Sequence, residues 1–172
     1  DYRYLNTVIN RVRRMFDLDA DMQMIHQSLA TNAQLAKQIK ATPGLRLPGS
    51  WDIFEFSIRA ILGQQVSVKA ATTFARRIAE DYGTTDNTLP TQIQQIFPTQ
   101  KQLENADFLN IGLTKSRIQT LNNLIDYLSN NQQLLTTYDS LESLETQLNQ
   151  IKGIGPWTIN YLAMRGLSEP DA

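Results

Sequence analysis

Apolar residues return at three- and four-residue intervals along most of this chain, the spacing that gathers side chains on one face of a helix. Leu5, Val8, Ile9, Val12 and Phe16 form such a stripe, predicting a helix over residues 4–16. A second helical region is expected over 22–40, with Asp19 or Asp21 as its N-cap. Residues 51–62 read as a third helix, with Phe54, Ile58, Ile61 and Leu62 inward and Gly63 free to end it in the left-handed region. Ser67 is placed to cap 68–82 and Gly83 to stop it. Thr114 is placed to cap 115–128, which carries Ile118, Leu121, Leu124, Ile125 and Leu128 on its inner face. Leu141, Leu144 and Leu148 give a stripe to 140–151.

Between these runs the chain is punctuated by proline and glycine, as in Thr42-Pro43-Gly44 and Leu47-Pro48-Gly49-Ser50. Residues 84–98 are polar, rich in glutamine and broken by two prolines, and read as surface connection. Short helical turns are expected at 99–105 and 107–110. No two-residue alternation of a strand stands out, and no internal repeat. The expected architecture is an all-α helical bundle with short connections, one domain over 1–172 in one or two lobes.

Composition changes this picture little. The 172 residues are 41% hydrophobic and 19% charged, ordinary for a globular core. The chain has no cysteine, which excludes a disulfide, a thiolate metal site or an iron–sulfur cluster within it. The lone His26 cannot assemble a zinc site or a catalytic triad, and reads as structural or exposed. No run of 18 apolar residues is present and the first residues lack the apolar core of a signal peptide, so a cytoplasmic setting is expected. The chain does not begin with methionine and reads as part of something longer.

Charge adds one refinement. The net charge of −1 argues against a strongly basic nucleic-acid binder. Yet residues 56–79 hold Arg59, Lys69, Arg76 and Arg77 without an acid, and residues 146–168 hold Lys152 and Arg165 without one. A local positive face is compatible with a near-neutral whole; a solvated helix surface accounts for the same residues.

The densest signal is IKGIGPWTINYLAMRG, residues 151–166. Lys152-Gly153-Ile154-Gly155 predicts a tight turn, and Pro156 suits the first position of the following helix, where its missing N–H is not needed. Two readings of the glycines stand open. They could let two helices meet closely at a corner, or they could let backbone N–H groups at a helix start approach an anion, helped by the helix dipole. Trp157 and Tyr161, four apart, share a face. Packing explains both equally from spacing alone, although Trp157 at a helix start beside a turn is harder to bury.

Taken together, Leu148-x-x-Ile151-x-Gly153-Ile154-Gly155-x-x-Thr158 resembles a helix–hairpin–helix motif. With the blocks PGLRLPGSWDIFEFSIRAILGQQVSVKAA and LNIGLTKSRIQTLNNL, most of the chain from about Phe16 onward is similar to the helix–hairpin–helix DNA glycosylases. Within them it is most like the bacterial 3-methyladenine DNA glycosylase II group. The resemblance implies that Gly153, Gly155 and Thr158 grip a DNA phosphate, with Lys152 a further contact. It implies that Gln64 and Gln65 fill the gap left in the duplex, and that Trp157 and Tyr161 line the pocket for the extruded base. Relatives of this group can place leucine where Gln65 stands, so this wedge is more polar and able to hydrogen-bond the orphaned base. No cofactor is required; a sodium or potassium ion on the carbonyls of Asn149, Ile151 and Ile154 is implied. The expected partner is double-stranded DNA carrying a damaged base, bound by a monomer in the bacterial nucleoid.

Members that also cleave the backbone place a lysine nucleophile where Trp157 stands, so a monofunctional glycosylase is implied. The reaction needs a carboxylate to meet the cation-like sugar. The family's aspartate lies several residues beyond Asp171, past Ala172. The chain as given is therefore expected to lack it, to be inactive alone, and to be incomplete at its C-terminus. The rival expectations are a non-catalytic module that uses the hairpin only to hold phosphates, and a protein-interaction bundle in which the hairpin is a corner.

Overall fold

The computed structural model describes residues 2–131, 134–135, 137–169 and 172. They fall into two compact units, residues 1–51 and 52–172.

The first unit holds α1 (Leu5–Met15), α2 (Met22–Leu29) and α3 (Ala33–Ala41). The single helical region expected over 22–40 is two helices. Asp21 accepts from the Met24 N–H at 3.0 Å and starts α2, which stops at Leu29. Asn32 then accepts from the amides of Gln34 and Leu35 at 2.9 and 3.2 Å and starts α3. A short amide side chain that satisfies two helix-start donors at once outcompetes continuation of the previous helix. None of these three helices contributes a buried residue, and the stripe of α1 is solvent-exposed at Leu5, Val8, Ile9 and Phe16.

The second unit holds the core. Its helices are α4 (Ile53–Leu62), α5 (Val68–Tyr82), α6 (Gln100–Leu103), α7 (Lys115–Asn130), α8 (Leu141–Leu148) and α9 (Pro156–Tyr161), the last continuing into a π-helical turn over Leu162–Leu167. Ile58, Ile61 and Leu62 of α4 meet Ile78 of α5, Leu121, Leu124 and Ile125 of α7, Leu144 and Leu148 of α8, and Ile159 and Leu162 in one apolar cluster. Each such side chain contributes about 1.5–3 kcal/mol when fully buried. Side-chain caps fix where the helices begin. Asp52, Ser67, Thr114 and Ser140 accept from the amides of Glu55, Ala70, Arg117 and Ser143.

Several details differ from the sequence pattern. α4 starts at Ile53, because Asp52 rather than an earlier residue caps it. α8 ends at Leu148, three residues before the expected 151, since residues 149–151 already turn toward the hairpin. Residues 84–98 also contain a small antiparallel ribbon, Thr84–Thr85 against Gln95–Ile96, paired Thr84 to Ile96 and Thr85 to Gln95. Two residues per strand are too few to leave an alternating pattern, so pairing there rests on β-branched Thr84, Thr85 and Ile96.

Of the two readings of the acid-free runs, the contacts favour the solvated helix surface over a positive face. Arg59 pairs with Glu55 at 2.7 Å, Arg76 chelates Glu80 with one contact at 2.7 Å, and Arg77 donates to the Ile111 carbonyl at 2.7 Å. Both acids lie just outside the acid-free run and reach into it by the four-residue helical spacing.

Candidate nucleic-acid interface

Residues 148–156 build the hairpin in short steps. The Ile151 N–H donates to Leu148 O at 3.1 Å and the Ile154 N–H to Ile151 O at 3.0 Å, so two tight turns follow each other. Ile151 and Ile154 are both buried and pin the turn to the core. Pro156 opens α9 and Gly155 stands at its N-cap.

The two glycines differ in kind. Gly153 has φ of +100°, and a Cβ there would lie 2.8 Å from both Cβ and Cγ2 of Thr120, with its Oγ1 closer still. Both backbone angle and space demand glycine. Gly155 has φ of −105°, open to any residue, and a Cβ there would meet nothing within 4 Å. The folded chain gives no reason for glycine at 155.

Facing the hairpin is the turn between α4 and α5. Gly63, expected to be left-handed, has φ of −81°; the left-handed residue is Gln65, at φ +54°. The chain turns two residues later than the glycine suggests, and at a side chain that ordinarily avoids this region. Gln64 ties the turn to the hairpin, its Nε2 donating to Gly153 O at 3.3 Å and to Thr158 Oγ1 at 3.2 Å. Thr158 is only 4% exposed, and its hydroxyl receives Gln64. Gln65 itself is exposed.

Helix α7 supports both loops through three residues that no sequence reading singled out. Arg117 donates to the Gln64 carbonyl, Thr120 lies against Gly153, and Asn123 Nδ2 donates to Lys152 O at 2.9 Å. They recur every third residue, so they form a polar stripe beside the apolar Leu121, Leu124, Ile125 and Leu128. Most other positions of α7 outside the apolar face are polar too, so nothing in the sequence marks these three. Lys152 keeps an exposed side chain while its carbonyl is held.

Between hairpin and turn lies an open cleft of about 860 Å³, lined by Gly153, Gly155, Trp157, Thr158, Gln64, Gln65, Arg117 and neighbouring small residues. A second depression of about 400 Å³ adjoins it, lined by Phe56, Val68, Ala71, Trp157 and Tyr161 among others. Trp157 borders both and is 68% exposed. Its ring stacks on Tyr161 at 5.1 Å between centroids and 13° between planes, and Tyr161 meets Phe56 at 5.1 Å on a tilt of 34°. The Arg165 guanidinium stands 5.8 Å from the Tyr161 centroid. Tyr161 is therefore half-buried between these rings, and Trp157 offers the larger aromatic surface to the clefts. No aspartate or glutamate lines either cleft among the described residues. Asp171 lies outside the described residues.

The carbonyls expected to hold a monovalent cation are those of Asn149, Ile151 and Ile154. Ile151 O spends one lone pair on the Ile154 amide and keeps its second. Asn149 is the C-cap of α8, where carbonyls lack intrahelical donors. Neutral oxygens are the ligands such ions prefer.

Residues 1–52 match the AlkA N-terminal domain family; within 2–52 the matched segment is helical and carries no strand. Across its whole length the chain is 37% identical to a Mycobacterium tuberculosis protein described as a probable bifunctional transcriptional activator and DNA repair enzyme AlkA, of which it covers 35%. It is 35% identical over 164 residues to Escherichia coli DNA-3-methyladenine glycosylase 2, covering 94% of this chain and 55% of that one. The 3-methyladenine DNA-glycosylase of Archaeoglobus fulgidus superposes with a TM-score of 0.81 at 22% identity, over 98% of this chain and 58% of that one. The chain is similar along nearly its whole length to these DNA repair enzymes. It spans between a third and just over half the length of these relatives. The all-α architecture and the hairpin at 148–156 agree with that similarity. Among the described residues, no helix is long and apolar enough to cross a membrane.

Proposed function

We propose that this chain is the DNA-gripping and base-receiving core of a monofunctional glycosylase that removes alkylated bases, such as 3-methyladenine, from duplex DNA. The observation that carries the reading is Gly155, a glycine without a structural reason, beside the exposed Trp157 in one cleft. A missing Cβ there matters to something that approaches from outside. A DNA phosphate fits, because the amides of Trp157 and Thr158 at the start of α9 have no intrahelical acceptor.

The parts then divide the work. The amides after Gly155 hold the backbone of one strand and read no sequence. Gln65, exposed on the opposite wall, enters the duplex as the target base leaves, offering its amide to the orphaned partner. Trp157 receives the extruded base on its face. An alkylated purine carries positive charge, and a cation over an indole gains about 0.5–2 kcal/mol. Tryptophan in place of a lysine nucleophile favours hydrolysis without backbone cleavage. Breaking the glycosidic bond still needs a carboxylate, and neither cleft supplies one among the described residues. We assign that role to an aspartate of the longer protein. A monovalent ion on the carbonyls of Asn149, Ile151 and Ile154 adds positive charge beside the gripped phosphate. The working form is a monomer on DNA in the bacterial cytoplasm.

Two measurements test this. The chain should bind duplex DNA with an affinity that falls steeply as salt rises, and Gly155→Ala should weaken it. The full-length protein should release free base from methylated DNA. Binding without release would turn the reading into a non-catalytic hairpin module; binding indifferent to salt and to Gly155→Ala would end both.

A further inference from the structure

Arg117 departs from what a purely stabilising residue would do. It is half-buried on α7, and its guanidinium donates to the main chain of the α4–α5 turn, at the Gln64 carbonyl. Its Nε is the one buried side-chain nitrogen or oxygen without a partner among the described residues. An apolar side chain of similar length would fill the space without that deficit. The retained guanidinium therefore does something other than fill space. The acceptor it holds belongs to the peptide joining Gln64 to Gln65, and Gln65 is the side-chain residue forced to φ +54° in this turn. Unusual backbone of this kind persists only where surrounding contacts fix it.

The rest of the stripe extends the argument. Thr120 and Asn123, one and two turns further along α7, hold the hairpin at Gly153 and at the Lys152 carbonyl. Gln64 then links turn to hairpin directly. One helix face thus carries both walls of the cleft.

We infer that Arg117 is a positioning residue: by holding the Gln64 carbonyl it fixes the left-handed Gln65, and α7 thereby keeps the wedge turn and the hairpin in one register. This rests on the function proposed above. Without the guanidinium, the Gln64–Gln65 peptide is free to rotate and Gln65 leaves its projecting conformation. The hairpin, held by Thr120 and Asn123, stays in place. Grip and base extrusion should therefore separate.

The test uses the 172-residue chain, its Arg117→Met variant and Arg117→Lys, which keeps a donor for the carbonyl. Amide hydrogen exchange is read without DNA. Binding is read by anisotropy on a duplex with a tetrahydrofuran abasic analogue opposite 2-aminopurine, whose fluorescence reports insertion beside the orphaned base. In Arg117→Met, exchange at residues 63–67 should quicken about tenfold while that of the hairpin is unchanged. Duplex affinity should stay within about threefold while the 2-aminopurine response is lost, and Arg117→Lys should restore both. Unchanged exchange at 63–67 in folded Arg117→Met overturns the inference, whatever the DNA does. So does a parallel loss of affinity and fluorescence, which would make Arg117 a plain grip residue. Failure of the unsubstituted chain to bind the duplex instead sinks the function proposed above, and the exchange result still decides whether Arg117 holds the turn. Should Arg117→Met not fold, Arg117→Gln, too short to reach the carbonyl, is read in the same way.

Discussion

The two ends of the hairpin use the same amino acid for opposite reasons. At its inner end Gly153 is required by the fold, through a left-handed backbone and the wall of Thr120. At its outer end Gly155 is required by nothing in the fold. The steric account of a Gly-x-Gly thus holds for Gly153, and the functional account is the one proposed for Gly155.

The largest expected effect attacks the inner end. Gly153→Ala should destabilise the chain by about 3 kcal/mol, from backbone strain plus collision with Thr120. Thermal melting measures it. Adding Thr120→Ala should recover only part of the loss, because the Cβ at 120 still lies 2.8 Å from the added one and the backbone strain remains; full recovery would show that neither costs anything. Gly155→Ala is the counterpart. Its melting should shift by less than about 0.5 kcal/mol, while duplex affinity drops about tenfold, or 1.4 kcal/mol. A large loss of stability with intact binding would erase the distinction between the two ends.

A smaller change probes the bond between the walls. Gln64→Ala should cost about 1 kcal/mol through the lost contacts to Gly153 O and Thr158 Oγ1. Gln65→Gly should go the other way, raising stability by about 0.5 kcal/mol because glycine accepts φ of +54°. The same variant should lose the fluorescence response at the orphaned base. A control far from the cleft gives the smallest effect at neutral pH. Burial, then the bond to Glu169, pushes the Tyr138 hydroxyl up to about 12 from its usual 10. A raised folded value means its contribution is intact below pH 10 and lost between about pH 10 and 12. Tyr138→Phe should flatten the stability profile in that window and leave DNA binding untouched.

Much of the fold was legible because the second unit obeys simple periodicity. The stripes at Ile58, Ile61 and Leu62, and at Leu121 through Leu128, are the core. The first unit carries a stripe as regular in α1, yet leaves it exposed. Periodicity announces a helix face; it does not announce what covers it. The hairpin, Pro156 and Trp157 were legible from residue type alone. Arg117, Thr120 and Asn123 were not, since their partners are backbone groups distant in sequence, and backbone leaves no signature in composition. Gln65 was expected as a wedge by resemblance alone, and its left-handed backbone was hidden because Gly63 offered the obvious place for the turn.

The exposure of Trp157 has a practical consequence. The chain holds two tryptophans, and Trp51→Phe would leave a single indole at the mouth of both clefts. Its emission should be red-shifted in the free protein, and quenched when a base stacks on it. The protein thus carries its own optical meter of cleft occupancy, readable in real time and without a label on either molecule.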